Sequence, residues 1–357
     1  MRARDVGDST RSVHAGLPAG AQGEPLLPGP VLAAPFHLRG PADASPYGYG
    51  RYANPTWERL EDALGELEGG DVVAFASGMA AVTAVLLTTL ATGDVLVAPG
   101  DAYPGVREIA RRNLAERGVE VRLVPSEGDA FTAALAGATL LWVETPSNPG
   151  LRVLDVAALA AAAHDAGALV AVDGTLATPL RQAPLALGAD LAVASASKHL
   201  TGHGDLVLGY VAARDGALAG DLRSWRTLTG AIPGPFEAWL AHRSLATLAV
   251  RLERQEANAR ALAGLLQARA DVADVRWPGI GSVVTFDLGD EARAQAFLSA
   301  CRLVAEATSF GGVHSTAERR ARWGTDDVGP GVVRFSCGIE DAADLLGDVR
   351  DALDARR

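Results

Sequence analysis

Asp190-Leu191-Ala192-Val193-Ala194-Ser195-Ala196-Ser197-Lys198 runs from a short apolar stretch to a lysine, and His199-Leu200-Thr201-Gly202-His203-Gly204-Asp205 follows as a glycine-rich turn. The apolar stretch has the length and composition of a buried strand. A lysine leaving the end of such a strand is costly unless its ammonium has a use. One use is a Schiff base with an aldehyde cofactor, whose phosphate Ser195 and Ser197 could hold. A surface lysine in a polar loop is the plain alternative.

Outward from this point, further short apolar runs at 72–75, 95–98, 119–124, 140–143, 169–172 and 206–211 read as strands. Several are apolar on both faces, as expected of a mostly parallel sheet covered by helices. Helical patterns such as 105–116 and 155–166 lie between them, which gives a βαβ rhythm and an α/β fold. Residues 1–45 are rich in Pro and Gly and read as an extended arm, and 46–232 as a large domain. The breaker cluster Gly230-Ala231-Ile232-Pro233-Gly234-Pro235 introduces a smaller α+β domain over 233–357. There, 236–270 reads as one long helical stretch, and strands are expected at 283–288 and 332–336.

Ligands of such sheets bind beyond the carboxyl ends of the strands. Those ends carry Ser77-Gly78-Met79, Asp101-Ala102-Tyr103, Glu144-Thr145-Pro146-Ser147-Asn148-Pro149, Asp173-Gly174-Thr175 and Ser195-Ala196-Ser197-Lys198. Gly78 and Met79 open a helix, where free N–H groups favour a phosphate. Asp173 emerges from an apolar strand and calls for a cationic partner, which a protonated pyridine nitrogen would supply. Taken singly, each is explained as a cap, a turn residue or a salt bridge.

The bulk properties narrow the function further. The chain has 357 residues, 48% of them hydrophobic and 21% charged, and a net charge of -11, which argues against nucleic acid as the main partner. It holds two cysteines and no CxxC pair, so neither a disulfide framework nor a metal site is expected. The polar start and an apolar run of only 79–91 at its longest give the expectation of a cytoplasmic protein without a membrane span.

The same residues carry a family resemblance. Tyr49-Gly50-Arg51-Tyr52-Ala53-Asn54-Pro55-Thr56, Leu60-Glu61 and Leu67-Glu68-Gly69-Gly70 resemble one block of the Cys/Met-metabolism enzymes that use pyridoxal phosphate, such as cystathionine γ-lyase and γ-synthase. Ser77-Gly78-Met79-Ala80-Ala81, Glu144 to Pro149, Val172 to Thr175, Ser195 to Lys198, Ser309-Phe310-Gly311-Gly312 and Arg334-Phe335-Ser336 follow in family order. The resemblance implies a fold-type-I, aspartate-aminotransferase-like structure. It implies that Lys198 binds the cofactor aldehyde and shuttles protons, that Asp173 keeps the ring nitrogen protonated, and that Tyr103 stacks on the ring and acts as acid or base. It places Gly78, Met79, Thr175, Ser195 and Ser197 around the cofactor, and Asn148 on its 3-oxygen. Tyr49 and Arg51 would reach the phosphate of a neighbouring subunit in a homo-oligomer, expected to be a tetramer. Arg334 would clamp the substrate α-carboxylate, with Ser309, Asn148 and His314 nearby.

The departures bear on the reaction. Gly48 and His314 stand where many cystathionine γ-lyases carry glutamates, and Pro104-Gly105 replaces the cysteine-bearing segment of methionine γ-lyases. A loop that relatives carry near Gly279-Ile280-Gly281 is missing, and 316–323 is unusually charged. The expected activity is elimination on a sulfur amino acid, of the cystathionine γ-lyase kind. The alternatives are γ-replacement on an O-acylhomoserine and, more remotely, a non-catalytic or retuned member. A nucleotide-binding Rossmann protein is disfavoured, because no GxGxxG follows the first strand.

Overall fold

The computed structural model describes residues 6–355. The first five residues of the expected arm and the last two of the expected small domain lie outside it. The large sheet contains β1 (Asp71–Phe75), β2 (Val95–Pro99), β3 (Glu120–Val124), β4 (Leu140–Glu144), β5 (Leu169–Asp173), β6 (Leu191–Ala194) and β7 (Gly209–Ala213). Their order is β1-β7-β6-β5-β4-β2-β3. The pairs from β6 through β5, β4 and β2 to β3 are parallel, whereas β7 runs antiparallel to both β6 and β1.

Chain order adds α1 (Asp8–His14), α2 (Pro55–Glu68), α3 (Gly78–Thr89), α4 (Pro104–Glu108), α5 (Gly128–Ala134), α6 (Val156–Asp165), α7 (Thr178–Arg181), α8 (Gly216–Thr229), α9 (Pro235–Leu245) and α10 (Leu248–Gln267). The asparagine and threonine of the Asn54-Pro55-Thr56 block have structural reasons. Asn54 caps α2 through Thr56 N at 2.8 Å, while its amide and the Thr56 hydroxyl hold the arm at Val31. Gly69 closes the helix with φ +82°, a conformation that favours glycine.

Four sequence expectations need correction. The seventh strand begins at Gly209 rather than 206, because Leu208 bonds through both its N–H and its carbonyl to the Ser197 hydroxyl beside the site. Gly209 passes so close to Ser77 that an added Cβ would lie 2.4 Å from its carbonyl oxygen. The 105–116 helix is α4, followed by a wider π-type turn at Ile109–Leu114 and a tight turn at Ala115–Arg117. The expected 236–270 helix breaks at Ala246 and Thr247, and the Arg251 guanidinium donates to the freed Ser244 carbonyl at 3.0 Å. The arm, expected to be extended, carries the short helix α1.

The second sheet contains β8 (Ala273–Arg276), β9 (Val283–Asp287), β10 (Ala305–Glu306), β11 (Thr316–Arg319) and β12 (Val332–Ser336), in the order β10-β11-β12-β9-β8. Together with α11 (Glu291–Ala300), α12 (Ala342–Asp354) and the second half of α10, it forms its own apolar cluster. In contrast, Ala238, Ala241, Leu245, Leu248 and Leu252 of α9 and early α10 pack with Trp57 and Leu60 on the large unit. We therefore propose drawing the domain boundary within α10 rather than at 233. A short turn joins β8 to β9 through Gly279-Ile280-Gly281, with Gly281 N bonded to Glu256 Oε1 at 2.9 Å.

The core includes an acidic group with a consequence for stability. Glu68 is buried at the end of α2, its Oε1 accepts from the Tyr210 hydroxyl at 2.5 Å, and its Oε2 has no partner. Burial pushes this carboxyl up to about 7, opposed by the Tyr210 bond and by Arg11. Between its ordinary value and about pH 7 the folded state holds a proton that the unfolded chain has lost, so stability falls as pH rises through that window. Glu68→Gln keeps an acceptor for Tyr210 and removes the titration. It should raise stability at pH 8 by on the order of 2 kcal/mol and change it little at pH 4.5. Denaturant unfolding at the two pH values checks this, and an unchanged pH slope would refute it.

Candidate active site

A cavity of about 750 Å³ opens at the carboxyl edge of β1, β4, β5 and β6, roofed by residues of the smaller unit. Ser77, Gly78, Met79, Tyr103, Asn148, Asp173, Thr175, Ser195, Ser197, Lys198, Ser309, His314 and Arg334 all line it. The expected site residues thus converge, apart from Tyr49 and Arg51.

Sequence-local geometry places each group. Ser77 caps α3 by accepting from Ala80 N at 3.0 Å, and the helix begins at Gly78 and Met79. An added Cβ at Gly78 would lie 2.7 Å from that of Ser195, so only glycine lets the helix start approach the Ser195 segment so closely. Ser195 N donates to Thr175 Oγ1 at 2.8 Å, and Thr175 N donates to Asp173 Oδ1 at 2.9 Å, which locks the ends of β5 and β6 together. Burial raises the Asp173 carboxyl, while its bonds from Thr175 lower it. Among the described residues no basic side chain pairs with Asp173.

Lys198 Nζ donates to Ser309 Oγ at 2.7 Å and lies 5.4 Å from the Phe310 ring centroid. Burial, followed by the nearby Arg334 charge, lowers the lysine, which enlarges its neutral, nucleophilic fraction. Ser309 holds a φ of +82°, an uncommon conformation for serine that aims its hydroxyl at Lys198 and its carbonyl at Arg334. Arg334 donates from Nη1 to Asn148 Oδ1 at 2.9 Å and from Nη2 to the Ser309 carbonyl at 3.2 Å. Burial, then Arg320, brings its guanidinium down to about 10, still fully cationic at neutral pH. Tyr103 is 47% exposed at the cavity mouth.

Tyr49 and Arg51 lie elsewhere on the same chain. Tyr49 is 45% exposed, and Arg51 donates to the Thr227 carbonyl at 2.8 Å with its guanidinium over the Tyr52 ring. Sequence reading did not assign Glu144, Glu318 or Arg320 to the site. Glu144 accepts from Tyr103 N at 2.7 Å and Asn148 N at 3.2 Å, so one buried carboxyl fixes two site loops. Burial and the adjacent Asp173 raise it strongly. Its place at a strand end was a legible signal. For Glu318 and Arg320 the signal was the charge density of 316–323.

These residues suit a phosphorylated pyridine aldehyde. Free N–H groups at the start of α3 and the Ser195 hydroxyl form an anion cradle, Lys198 supplies an amine, and Asp173 presents a half-buried carboxyl to the cavity. The fold and this cavity define a fold-type-I pyridoxal-phosphate enzyme. Residues 10–354 match the family described as Cys/Met metabolism PLP-dependent enzyme, and the chain belongs to that family.

The chain is 53% identical to a protein named putative cystathionine gamma-lyase from Streptomyces coelicolor, over 98% of this chain and 94% of that one. A solved cystathionine gamma-lyase from Micromonospora echinospora matches with TM-score 0.91 and 36% identity, covering 98% of this chain and 100% of that one. A cystathionine gamma-synthase from Xanthomonas oryzae, solved with aminoacrylate and cysteine, matches with TM-score 0.92 and 35% identity over 98% of each. The chain is therefore a pyridoxal-phosphate-dependent enzyme of sulfur amino-acid chemistry. No helix among the described residues is long and apolar enough to cross a membrane.

Proposed function

We propose that this enzyme splits L-cystathionine by γ-elimination, giving cysteine, ammonia and 2-oxobutanoate with uptake of water. The observation that carries the reading is the convergence of Lys198, Asp173 and Arg334 on one cavity, in a chain 53% identical to a protein named for that reaction. When bound, the cofactor supplies an electron sink for charge left at the substrate Cα. Asp173 keeps the ring nitrogen protonated, so that sink stays available. The start of α3, Thr175, Ser195 and Ser197 would hold the phosphate side, and Asn148 would orient the ring oxygen. Arg334 grips the α-carboxylate as a planar, two-pronged donor. Lys198 Nζ would take the proton from the substrate Cα and pass protons along the carbon chain. Tyr103 Oη, at the mouth, donates to the departing sulfur.

The same groups serve γ-replacement on an activated homoserine ester, and the likeness to a cystathionine gamma-synthase structure supports that second reading. We further propose that a second copy completes the site with its Tyr49 and Arg51, in a homo-oligomer built on the tetrameric plan. The exposure of Tyr49 and of arm residues such as Leu26 (87% exposed) supports this. A cytoplasmic location fits the free thiols Cys301 and Cys337.

The test is incubation of the cofactor-loaded enzyme with L-cystathionine and identification of the keto acid, with molar mass measured on the same sample. 2-Oxobutanoate is expected, at a mass above one chain. Pyruvate would show β-elimination instead. The absence of both keto acids, with thioether formation from O-acylhomoserine and cysteine, would establish replacement. A single-chain mass in the active sample would remove the shared-site proposal.

A further inference from the structure

A row of alternating charges runs from Arg334 to the segment that bears Tyr103. Glu318 on β11 stands directly opposite Arg334 on β12, so antiparallel pairing puts both side chains on one face. Glu318 is 1% exposed, and its Oε1 accepts from Arg334 Nη2, from Arg320 Nη1 at 2.7 Å and from Thr308 Oγ1 at 3.3 Å. Its Oε2 accepts from Trp323 Nε1 at 2.8 Å. The other edge of Arg320 donates to Asp326, through Nε at 2.9 Å and also through Nη2. Asp326 Oδ1 lies 3.8 Å from Arg107 Nη2 on α4. Arg107 in turn donates to the Thr325 carbonyl and, through Nε at 2.8 Å, to the carbonyl of Ala102, the residue before Tyr103.

The sequence Arg334, Glu318, Arg320, Asp326, Arg107 is thus positive, negative, positive, negative, positive. Glu318 and Asp326 are almost fully buried, and a buried charge that loses one partner is strongly destabilised. Each member therefore constrains the next, and the row crosses from the smaller unit to the large sheet at the cavity rim. A substrate carboxylate arriving at Arg334 competes with Glu318 for the same guanidinium. Glu318 stays compensated because Arg320 holds its Oε1 from the other side.

We propose that Glu318, Arg320, Asp326 and Arg107 are positioning residues that couple the seating of the substrate carboxylate on Arg334 to the placement of Tyr103. This rests on the roles given above to Arg334 and Tyr103. The row orients the clamp, and it fastens the 320–326 turn against the start of α4. A purely structural tie between the two units would affect melting temperature alone.

The test uses cofactor-loaded enzyme carrying Asp326→Asn, Arg107→Gln, both together, and Arg334→Lys as a separate control. Glycine, an amino acid with nothing to eliminate, is titrated against the cofactor's visible absorbance, and kcat and KM are measured with the substrate established above. Each single change is expected to lower kcat about tenfold and to weaken glycine several-fold, with the double variant little worse than either single one. Arg107→Lys should recover part of the loss.

Arg334→Lys alone should weaken glycine binding. If it does not, the reading of the carboxylate clamp fails, whatever the row does. If it does, while Asp326→Asn and Arg107→Gln match the parent or shift only the melting temperature, the positioning proposal is overturned. Strictly additive effects in the double variant would overturn it as well. Should Asp326→Asn fail to fold, Arg107→Gln decides alone, because that side chain is partly exposed and leaves no deeply buried gap.

Discussion

Lys198→Ala should give a folded protein that no longer shows the visible absorption of covalently held pyridoxal phosphate and is slowed by at least about a thousandfold on its amino-acid substrate. The size of the effect follows from the two jobs assigned to one atom. Nζ is the amine that captures the cofactor aldehyde, and it is the base placed at the substrate Cα. The fold should survive because the lysine's hydrogen-bond partner in the chain is the Ser309 hydroxyl, which faces the same open cavity and can turn to water. Absorbance and circular dichroism on one sample check both halves. An unchanged visible band would mean that another amine holds the cofactor.

The second large effect is expected at Asp173. Asp173→Asn keeps an oxygen for Thr175 N and loses the negative charge. A protonated ring nitrogen then faces a neutral amide in a buried site and gives up its proton more readily. Breaking a buried pair of this kind costs about 3–5 kcal/mol, which corresponds to about 10²–10⁴ in rate if it is felt in the transition state. Cofactor loading and the unfolding midpoint should change much less than kcat. Asp173→Glu, which restores the charge at a displaced position, should recover part of the rate. Equal kcat for Asp173→Asn and the parent would remove Asp173 from the chemistry.

Both of these residues are legible in the sequence, because the chemistry sits in short motifs at strand ends. Asp173, Ser195 and Lys198 stand within a few residues of apolar runs that form strands for local reasons, and a parallel sheet delivers all such ends to one edge. The small-unit residues were legible in a different sense. Arg334 and Ser309 were recognised by resemblance, and nothing in their own spacing shows that β12 would bring a guanidinium to Asn148 on the far side of the cavity. Glu318 and Arg320 escaped assignment because a charged run normally lies on a solvated face; the register of β11 with β12 turns Glu318 inward, and the tight turn that follows brings Arg320 back onto it.

Local boundaries failed where tertiary contacts override propensity. The 236–270 stretch is helical throughout by composition, yet it breaks at Ala246 and Thr247, where Arg251 satisfies the released carbonyl, and the packing passes from Trp57 to the second sheet only farther on, within α10. The seventh strand starts late because Leu208 is committed to Ser197.

The sequence by itself determined the α/β class, the chemistry at the strand ends and the anion cradle at the start of α3. Each of these depends on residues close together in the chain and on rules that hold for any parallel sheet. Only the tertiary structure decided which distant charges meet, how Glu144 ties Tyr103 to Asn148, and that Tyr49 and Arg51 lie away from their own chain's cavity. Those facts depend on strand order, register and the placing of one unit on another, and long-range packing is not written in the spacing of neighbouring residues.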